Sequence, residues 1–192
     1  LDISPLRCFS KLNRLEIVRI QIKDISPIGS LQRLRVLSLI ENGISDIRNL
    51  GNLRSLNELK IWKNPIVDAS ALKKLVNLTS FTLGEVGITD VSFLAHLKSV
   101  RVINLTSNQI KDISFVKSLP ALKWLVAPFN QITTVPQLND PVSMVHLDLT
   151  GNQIVHLSSL FWGEQGKPDS VLILYGNPFE CAKEKKNLED LS

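Results

Sequence analysis

The sequence contains few aromatic residues, no long apolar run and little excess of either charge, and each shortage excludes a class of protein. Aromatic residues make up 6% of the chain, whereas hydrophobic residues make up 44%. That hydrophobic content excludes an intrinsically disordered chain and predicts an aliphatic core. No stretch approaches the ~18 uninterrupted apolar residues of a membrane helix, so we expect no membrane insertion. The net charge of +4 comes from basic residues spread along the sequence, without the dense stripe typical of nucleic-acid binding.

A 22-residue repeat dominates the rest of the chain. Its consensus is L-x-x-L-x-L-x-x-N-x-I-x-D-I-x-x-L-x-x-L, and seven units follow one another without a gap. Their first positions are Leu12, Leu34, Leu56, Leu78, Val100, Leu122 and Met144. Residues 2–9 fit the second half of a further unit, and a last unit with Leu172 and Leu174 follows an insertion around residues 166–168. About eight units therefore fill residues 1–179.

The spacing of the leucines predicts the fold. In x-L-x-L-x, alternate residues face opposite sides of a short strand, so the leucines point inward. Such strands stack about 4.8 Å apart into a parallel sheet, and each unit's aliphatic side chains are covered only by its neighbours. A unit this short leaves room for extended or 3-10 turns on the other side, but not for a full helix. We therefore predict a leucine-rich-repeat solenoid with a parallel β-sheet on its concave face and extended or 3-10 turns on its convex face.

Two polar columns run through the repeat. Position nine holds asparagine in most units, and Ile20 and Val86 interrupt the column. Its members are Asn42, Asn64, Asn108, Asn130, Asn152 and Asn177. We expect these amides to bond the backbone where each strand turns, with a loose turn or a water beside Val86.

Position thirteen holds Asp24, Asp46, Asp68, Asp90 and Asp112. We expect them to accept backbone N–H groups at the convex turns, because carboxylates placed one per strand do not converge on a calcium ion.

Two segments carry a resemblance to a known family. NQIKDISFVKSLPAL at 108–122 and NGISDIRNLGNLRSL at 42–56 resemble the repeats of the bacterial internalins, surface proteins with 22-residue leucine-rich repeats. The resemblance covers nearly the whole chain. It implies a right-handed, curved solenoid that binds a host or partner protein on its concave face and is secreted or on the cell surface. Repeats of this length also occur in a cytosolic regulatory subunit of serine/threonine phosphatases, so a cytoplasmic regulatory or scaffold subunit is an alternative.

The chain departs from the internalin pattern at its ends. Within these 192 residues we expect neither the helical cap that precedes internalin repeats nor the immunoglobulin-like domain that follows them. The chain ends in NPFECAKEKKNLEDLS, the start of a cysteine-type cap without the further cysteines. Leu188 and Leu191 predict that residues 180–192 form a short helical cap over the last unit. Cys8 and Cys181 lie near opposite ends of an elongated molecule, too far apart for the ~7 Å of a disulfide, so we expect two free thiols.

Outward-facing side chains at positions three, five, seven and eight of the units form the candidate binding surface. The larger cluster is C-terminal and comprises Trp124, Val126, Pro128, Phe129, His146, Asp148 and Tyr175. The smaller comprises Trp62 with Ile40, Glu58, Lys60 and Lys63. Exposed aromatics on a concave sheet typically anchor protein interfaces. The alternative is that Trp124 folds over its neighbours while Phe129 and Tyr175 seal the end of the array.

The sequence offers little for catalysis. His146, Asp148 and Thr150 share a strand face, but they lack a positioned nucleophile with a base and an oxyanion hole. We find no zinc-ligand spacing and no glycine-rich phosphate loop. We therefore expect a monomeric, non-enzymatic protein-binding module without metal or cofactor. A glycan-binding or spacer segment of a surface adhesin is a further alternative, since Trp62 and Trp124 suit stacking on sugar rings.

Overall fold

The computed structural model describes residues 1–136, 144–156 and 170–179. Within them the chain forms one sheet of eight parallel strands, each beside its neighbour in sequence. The strands are β1 (Arg14–Val18), β2 (Val36–Ile40), β3 (Glu58–Trp62), β4 (Ser80–Gly84), β5 (Val102–Asn104), β6 (Trp124–Val126), β7 (His146–Asp148) and β8 (Val171–Ile173). Short 3-10 helices lie on the convex side, at Ser4–Cys8, Ser26–Ser30, Arg48–Asn52, Ser70–Lys74, Ser92–His96 and Ser114–Ser118. The predicted solenoid is confirmed.

The strand register follows the repeat period. Leu15 pairs with Leu37, and the 22-residue offset is kept up to β7. His146 of β7 pairs with Val171 of β8, an offset of 25 residues. The sheet therefore continues past the predicted insertion, which itself lies outside the described residues, as does the predicted cap at 180–192.

The core is a stack of aliphatic columns. Central members such as Leu39, Leu83 and Leu105 are fully buried. Phe81 and Phe93 add an edge-to-face aromatic contact, with ring centroids 6.0 Å apart and planes 81° apart. At the two ends of the sheet the equivalent side chains, for example those of Leu15 and Leu172, are only partly buried. The units therefore cover one another's core, as expected for a repeat array.

The asparagine side chains at position nine form hydrogen bonds with backbone groups at the ends of the strands. The Asn64 amide nitrogen donates to the carbonyl oxygens of Leu39 and Trp62, at 3.0 and 2.9 Å. Its oxygen accepts the N–H groups of Asn42 and Ile44. The buried Asn108, Asn130 and Asn152 make the equivalent bonds. Among the described residues no buried side-chain nitrogen or oxygen lacks a partner, which confirms the predicted role.

The gap in this column at Val86 is partly closed by the chain itself. By the repeat, an asparagine at 86 would accept the N–H of Ile66, as Asn64 accepts that of Ile44. Instead the Ile66 N–H donates to the Asn64 carbonyl oxygen at 2.8 Å, across the intervening Pro65. Val86 itself is buried. The sequence predicts a loose turn or a water at this gap. Instead, a tight local turn gives the Ile66 N–H a partner.

The aspartate column starts the convex turns. Asp68 accepts the N–H of Ser70 at 2.7 Å, two residues further on. Asp24, Asp46, Asp90 and Asp112 make the same bond at 2.7–3.0 Å. This is an Asx-turn, which bends the chain into the following 3-10 helix. The predicted role at the convex turns is confirmed. Among the described residues no group of three or more metal-ligating side chains comes together.

Candidate functional site on the concave face

The strand residues at positions three, five and seven face the concave side. Each alternates with an inward-facing leucine, isoleucine or phenylalanine, so β3 has Glu58 and Lys60 exposed and Trp62 half-buried between core residues. All the predicted site residues that lie on strands occupy this face, and Lys63, Phe129 and Tyr175 lie just beyond the strand ends. The face is continuous because the register places equivalent positions of successive units side by side.

Trp62 lies across the neighbouring strand. In the sheet it stands between Ile40 of β2 and Gly84 of β4. A Cβ atom added to Gly84 would come within 2.3 Å of the indole atoms Cε3 and Cζ3. The Trp62 ring therefore covers Gly84 and occupies the space that the side chain of any other residue at position 84 would fill. The ring remains half-exposed.

Phe129 repeats this arrangement near the other end of the sheet. A Cβ atom on Gly151 would come within 2.7 Å of the Phe129 ring. The Phe129 N–H donates to the Thr150 carbonyl oxygen at 2.8 Å, which keeps the two turns together. The side chain is 59% exposed. The ring therefore lies on the surface over a glycine, as the Trp62 ring does.

Four residues of the predicted C-terminal cluster lie side by side on the sheet. Trp124 pairs with His146, and Val126 pairs with Asp148, so these four side chains are neighbours on β6 and β7. Trp124 is 41% exposed. Tyr175, in the turn after β8, is 83% exposed and so covers little of the end of the array. Trp62 and Trp124 lie three strands apart, about 14 Å across the sheet at ~4.8 Å per strand, and four residues apart along the strands, about 13 Å at ~3.3 Å per residue.

A row of alternating charges, which we call the charge ladder, lies at position eight after the first four strands. It comprises Arg19, Glu41, Lys63 and Glu85. Arg19 Nε lies 2.7 Å from Glu41 Oε2. Lys63 Nζ lies 3.8 Å from Glu41 and 3.9 Å from Glu85. The hydrogen bond with Arg19 lowers the pKa of the Glu41 carboxyl and raises the pKa of Arg19.

Of these four residues, only Lys63 is among those predicted to contact a partner. The ladder was visible as alternating signs at position eight, but its pairing depends on a backbone feature that the repeat pattern does not reveal. Every described residue at position eight has a positive φ, between 49° and 73°. These residues are Arg19, Glu41, Lys63, Glu85, Ser107, Phe129, Gly151 and Gly176. Left-handed backbone costs an L-residue about 1–2 kcal/mol, and here the stacked units impose it.

The other reactive side chains considered in the sequence do not form a catalytic arrangement among the described residues. The Asp148 carboxylate accepts the Thr150 N–H at 3.0 Å, and among the described residues no hydrogen bond joins it to His146. Cys8 is a free, exposed thiol, and Cys181 lies outside the described residues. Among the described helices none is long and apolar enough to cross a membrane.

The comparisons with known proteins rest on structure. No protein-family model matches the sequence, and no curated protein does. Internalin C2 of Listeria monocytogenes is 27% identical, with a TM-score of 0.81 over 96% of this chain and 80% of that one. Internalin InlF of the same organism is 30% identical, with a TM-score of 0.77 over 92% of this chain. The chain spans 58% of the length of InlF.

A more distant match extends the fold beyond these two proteins. TLR13, solved as a complex with ssRNA13, is 22% identical and has a TM-score of 0.74 over 92% of this chain and 26% of that one. At this identity the match establishes the shared repeat architecture alone.

Proposed function

Because the chain is an internalin-like leucine-rich-repeat protein, we propose that it is a protein-interaction module whose partner protein docks on the concave face, with Trp62 and Trp124 as its main contacts. The role is binding rather than catalysis.

The contact between Trp62 and Gly84 is the observation that carries the proposal. Glycine inside a strand weakens it, because glycine loses more backbone entropy on folding and packs no side chain. Here the glycine leaves the space that a half-exposed indole occupies. A ring fixed before binding loses little freedom when a partner arrives, and this is how aromatic side chains contribute strongly to interfaces. Trp62 is therefore arranged for contact at some expense of stability.

The C-terminal cluster supports a second contact region. Trp124 leaves 41% of its surface in solvent although it lies on a folded sheet. Val126 beside it adds apolar surface, while His146 and Asp148 add polar groups at the rim. Phe129 and Tyr175 extend the cluster past the strand ends. A central aromatic with a polar rim is the common composition of a protein interface.

The charged residues near Trp62 have a different part in the proposal. Glu58 and Lys60 are exposed on β3 and suit contacts that tune specificity and association rate. Lys63 already lies between Glu41 and Glu85, so a partner must compete with those carboxylates for it. Ile40 supplies apolar surface next to the indole ring.

The test has two stages. The 192-residue chain is used to capture a partner, and the purified partner is then titrated against variants. Trp62→Ala and Trp124→Ala should each weaken binding at least about tenfold, or ~1.4 kcal/mol, because a central aromatic contact is lost. Trp124→Ala should melt like the parent, and Lys111→Ala on the convex side should change neither property. The proposal is wrong if both tryptophan variants bind normally while convex substitutions abolish binding.

A glycan array with the same variants separates the main alternative. If the chain binds a defined sugar, and either tryptophan variant loses that binding while no protein partner depends on these residues, the concave face is a glycan site. A regulatory or scaffold subunit differs from the proposed module in its partner and compartment, so identification of the partner distinguishes the two.

A further inference from the structure

A second surface, outside the concave face, carries an unbalanced set of positive charges. It lies where the chain enters the strands, and we call it the basic edge. Its charged residues occupy the last two positions of one unit and the second position of the next: Lys11, Arg33, Arg35, Arg54, Lys98, Arg101 and Lys123. All seven are exposed, and no aspartate or glutamate occupies these positions in the described units. In the sequence these cations look scattered because repeats of 22 residues separate them.

Backbone hydrogen bonds show that the fold brings them together. The Arg35 N–H donates to the Asn13 carbonyl oxygen at 2.8 Å, and the Asn57 N–H donates to that of Arg35 at 2.8 Å. The same bond recurs in the following units up to Lys123, whose N–H donates to Arg101 at 2.9 Å. Lys11 and Lys123 are thus five strand spacings apart, about 24 Å at ~4.8 Å per strand.

The charges of the basic edge are not neutralised by the protein. Among the described residues none of the seven forms an ion pair, whereas all four members of the charge ladder do. The Lys98 amine donates to the Ser118 carbonyl oxygen at 2.8 Å, which leaves its charge in place. The nearby Glu58 also has no ion pair. Like charges stacked on neighbouring strands repel one another and lower stability, so the arrangement is not explained by folding.

The N-terminal half of the basic edge contains a groove of about 710 Å³. Its lining residues are Lys11, Asn13, Arg33, Arg35, Ser55, Asn57 and Asn77. Two amides are held in place, because Asn57 donates to the Asn77 carbonyl oxygen and Asn77 donates to that of Arg54, at 3.2 and 2.8 Å. Each amide has a further N–H and an oxygen with which to bond a ligand. The lining is polar and cationic, and it contains no aromatic ring.

We propose that the basic edge binds an acidic peptide segment of a protein. Guanidinium groups pair with carboxylates through two parallel hydrogen bonds, which suits Arg33 and Arg35 to aspartate or glutamate side chains. The fixed amides of Asn57 and Asn77 match the alternating donors and acceptors of a peptide backbone. An extended segment of about seven residues covers the 24 Å from Lys11 to Lys123 at ~3.3 Å per residue. Single-stranded nucleic acid is disfavoured because its binding sites use aromatic rings for base stacking.

The test uses a fluorescein-labelled decaglutamate peptide and measures its anisotropy on titration with the 192-residue chain. The peptide should bind in 50 mM salt and bind more weakly in 150 mM salt, because salt screens exposed charges. The double variant Arg33→Glu, Arg35→Glu should weaken binding at least about tenfold. Lys111→Glu, Lys117→Glu on the convex side makes the same change in net charge and should weaken it less than about threefold. A Gly-Ser peptide of equal length should not bind.

Two further measurements keep the result decisive. If the double reversal does not melt cooperatively, Arg33→Gln, Arg35→Gln replaces it, with the same expected direction. Decauridylate and a heparin fragment of matched charge are titrated beside the peptide. The proposal is overturned if decaglutamate does not bind, if the convex variant loses as much affinity as the edge variant, or if either other polyanion binds at least tenfold more tightly. No concave-face partner takes part in this titration, so its result neither supports nor contradicts the proposed function, which has its own test.

Discussion

The indole ring of Trp62 occupies the position in which a side chain at Gly84 would lie, with only 2.3 Å between the ring and a Cβ atom built there. The two residues come from neighbouring strands and pair directly in the sheet. The φ angle of Gly84 is not positive, so its backbone would accept another residue. The glycine is therefore required by the tryptophan ring and not by the strand.

This relationship predicts a coupling between the two residues. Gly84→Ala should destabilise the parent by about 1–3 kcal/mol, because the added methyl group displaces the ring. In a Trp62→Ala background the same change should be neutral or stabilising by up to about 1 kcal/mol, because alanine loses less backbone entropy than glycine. Urea denaturation of the four proteins measures the interaction energy.

Gly43→Ala is the control for that cycle. Its added Cβ would meet only the Lys23 side chain, at an ordinary 3.6 Å. It should have the same small effect whether residue 62 is tryptophan or alanine. If Gly84→Ala behaves like Gly43→Ala in both backgrounds, the ring does not depend on the glycine and the main support for Trp62 as a contact is lost.

The repeat period made most of the fold predictable. Aliphatic residues such as Leu37 and Leu39 recur every 22 residues, so strand positions, sheet order and the inward or outward direction of each side chain followed from spacing alone. The roles of Asn64 and Asp68 followed for the same reason, because one hydrogen-bonding solution is used in unit after unit.

Three features could not be predicted from the repeat period: the orientation of a ring, the backbone conformation at position eight and one local turn. The period gives Trp62 a direction, but not the ring orientation that covers Gly84. The left-handed backbone at position eight, which lets Arg19 reach Glu41, leaves no mark in the sequence because six of its eight described positions are not glycine. The turn of Asn64, Pro65 and Ile66 is a local answer to the missing asparagine at Val86.

The inward or outward orientation of strand side chains can be tested on two adjacent residues of β4. Leu83→Ala should cost about 2–5 kcal/mol, because Leu83 is fully buried and its truncation leaves a cavity. Thr82→Ala, on the concave side, should cost less than about 0.5 kcal/mol. Urea denaturation measures both values. Equal losses would show that the concave residues are wrongly assigned.

Removing one asparagine of the column should lower the free energy of unfolding by more than the small size of its side chain suggests. Asn108 bonds five backbone groups: it donates to the Leu83, Leu105 and Thr106 carbonyl oxygens and accepts the N–H groups of Val86 and Ile88. Asn108→Ala should cost about 2–4 kcal/mol, because these groups lose their partner inside the protein. Gln109→Ala, at the next and exposed position, is the matched control and should cost less than about 0.5 kcal/mol. A similar effect of both changes on the urea midpoint would count against the column.

The last prediction concerns the acid stability of the convex turns. Hydrogen bonds from Arg48 lower the pKa of Asp46 to about 2. A carboxyl whose pKa is lower in the folded than in the unfolded state, where it is about 3.9, stabilises the fold above pH 4 and loses that contribution as the pH falls towards 2. Asp46→Asn keeps an oxygen to accept the Arg48 N–H but removes the charge. The parent should therefore melt above this variant at pH 7, and the difference should shrink between pH 4 and pH 2. In an Arg48→Ala background the difference at pH 7 should be smaller, because the side-chain ion pair is gone. A difference in melting temperature that stays constant from pH 7 to pH 2 would show that the ion pair does not contribute to stability.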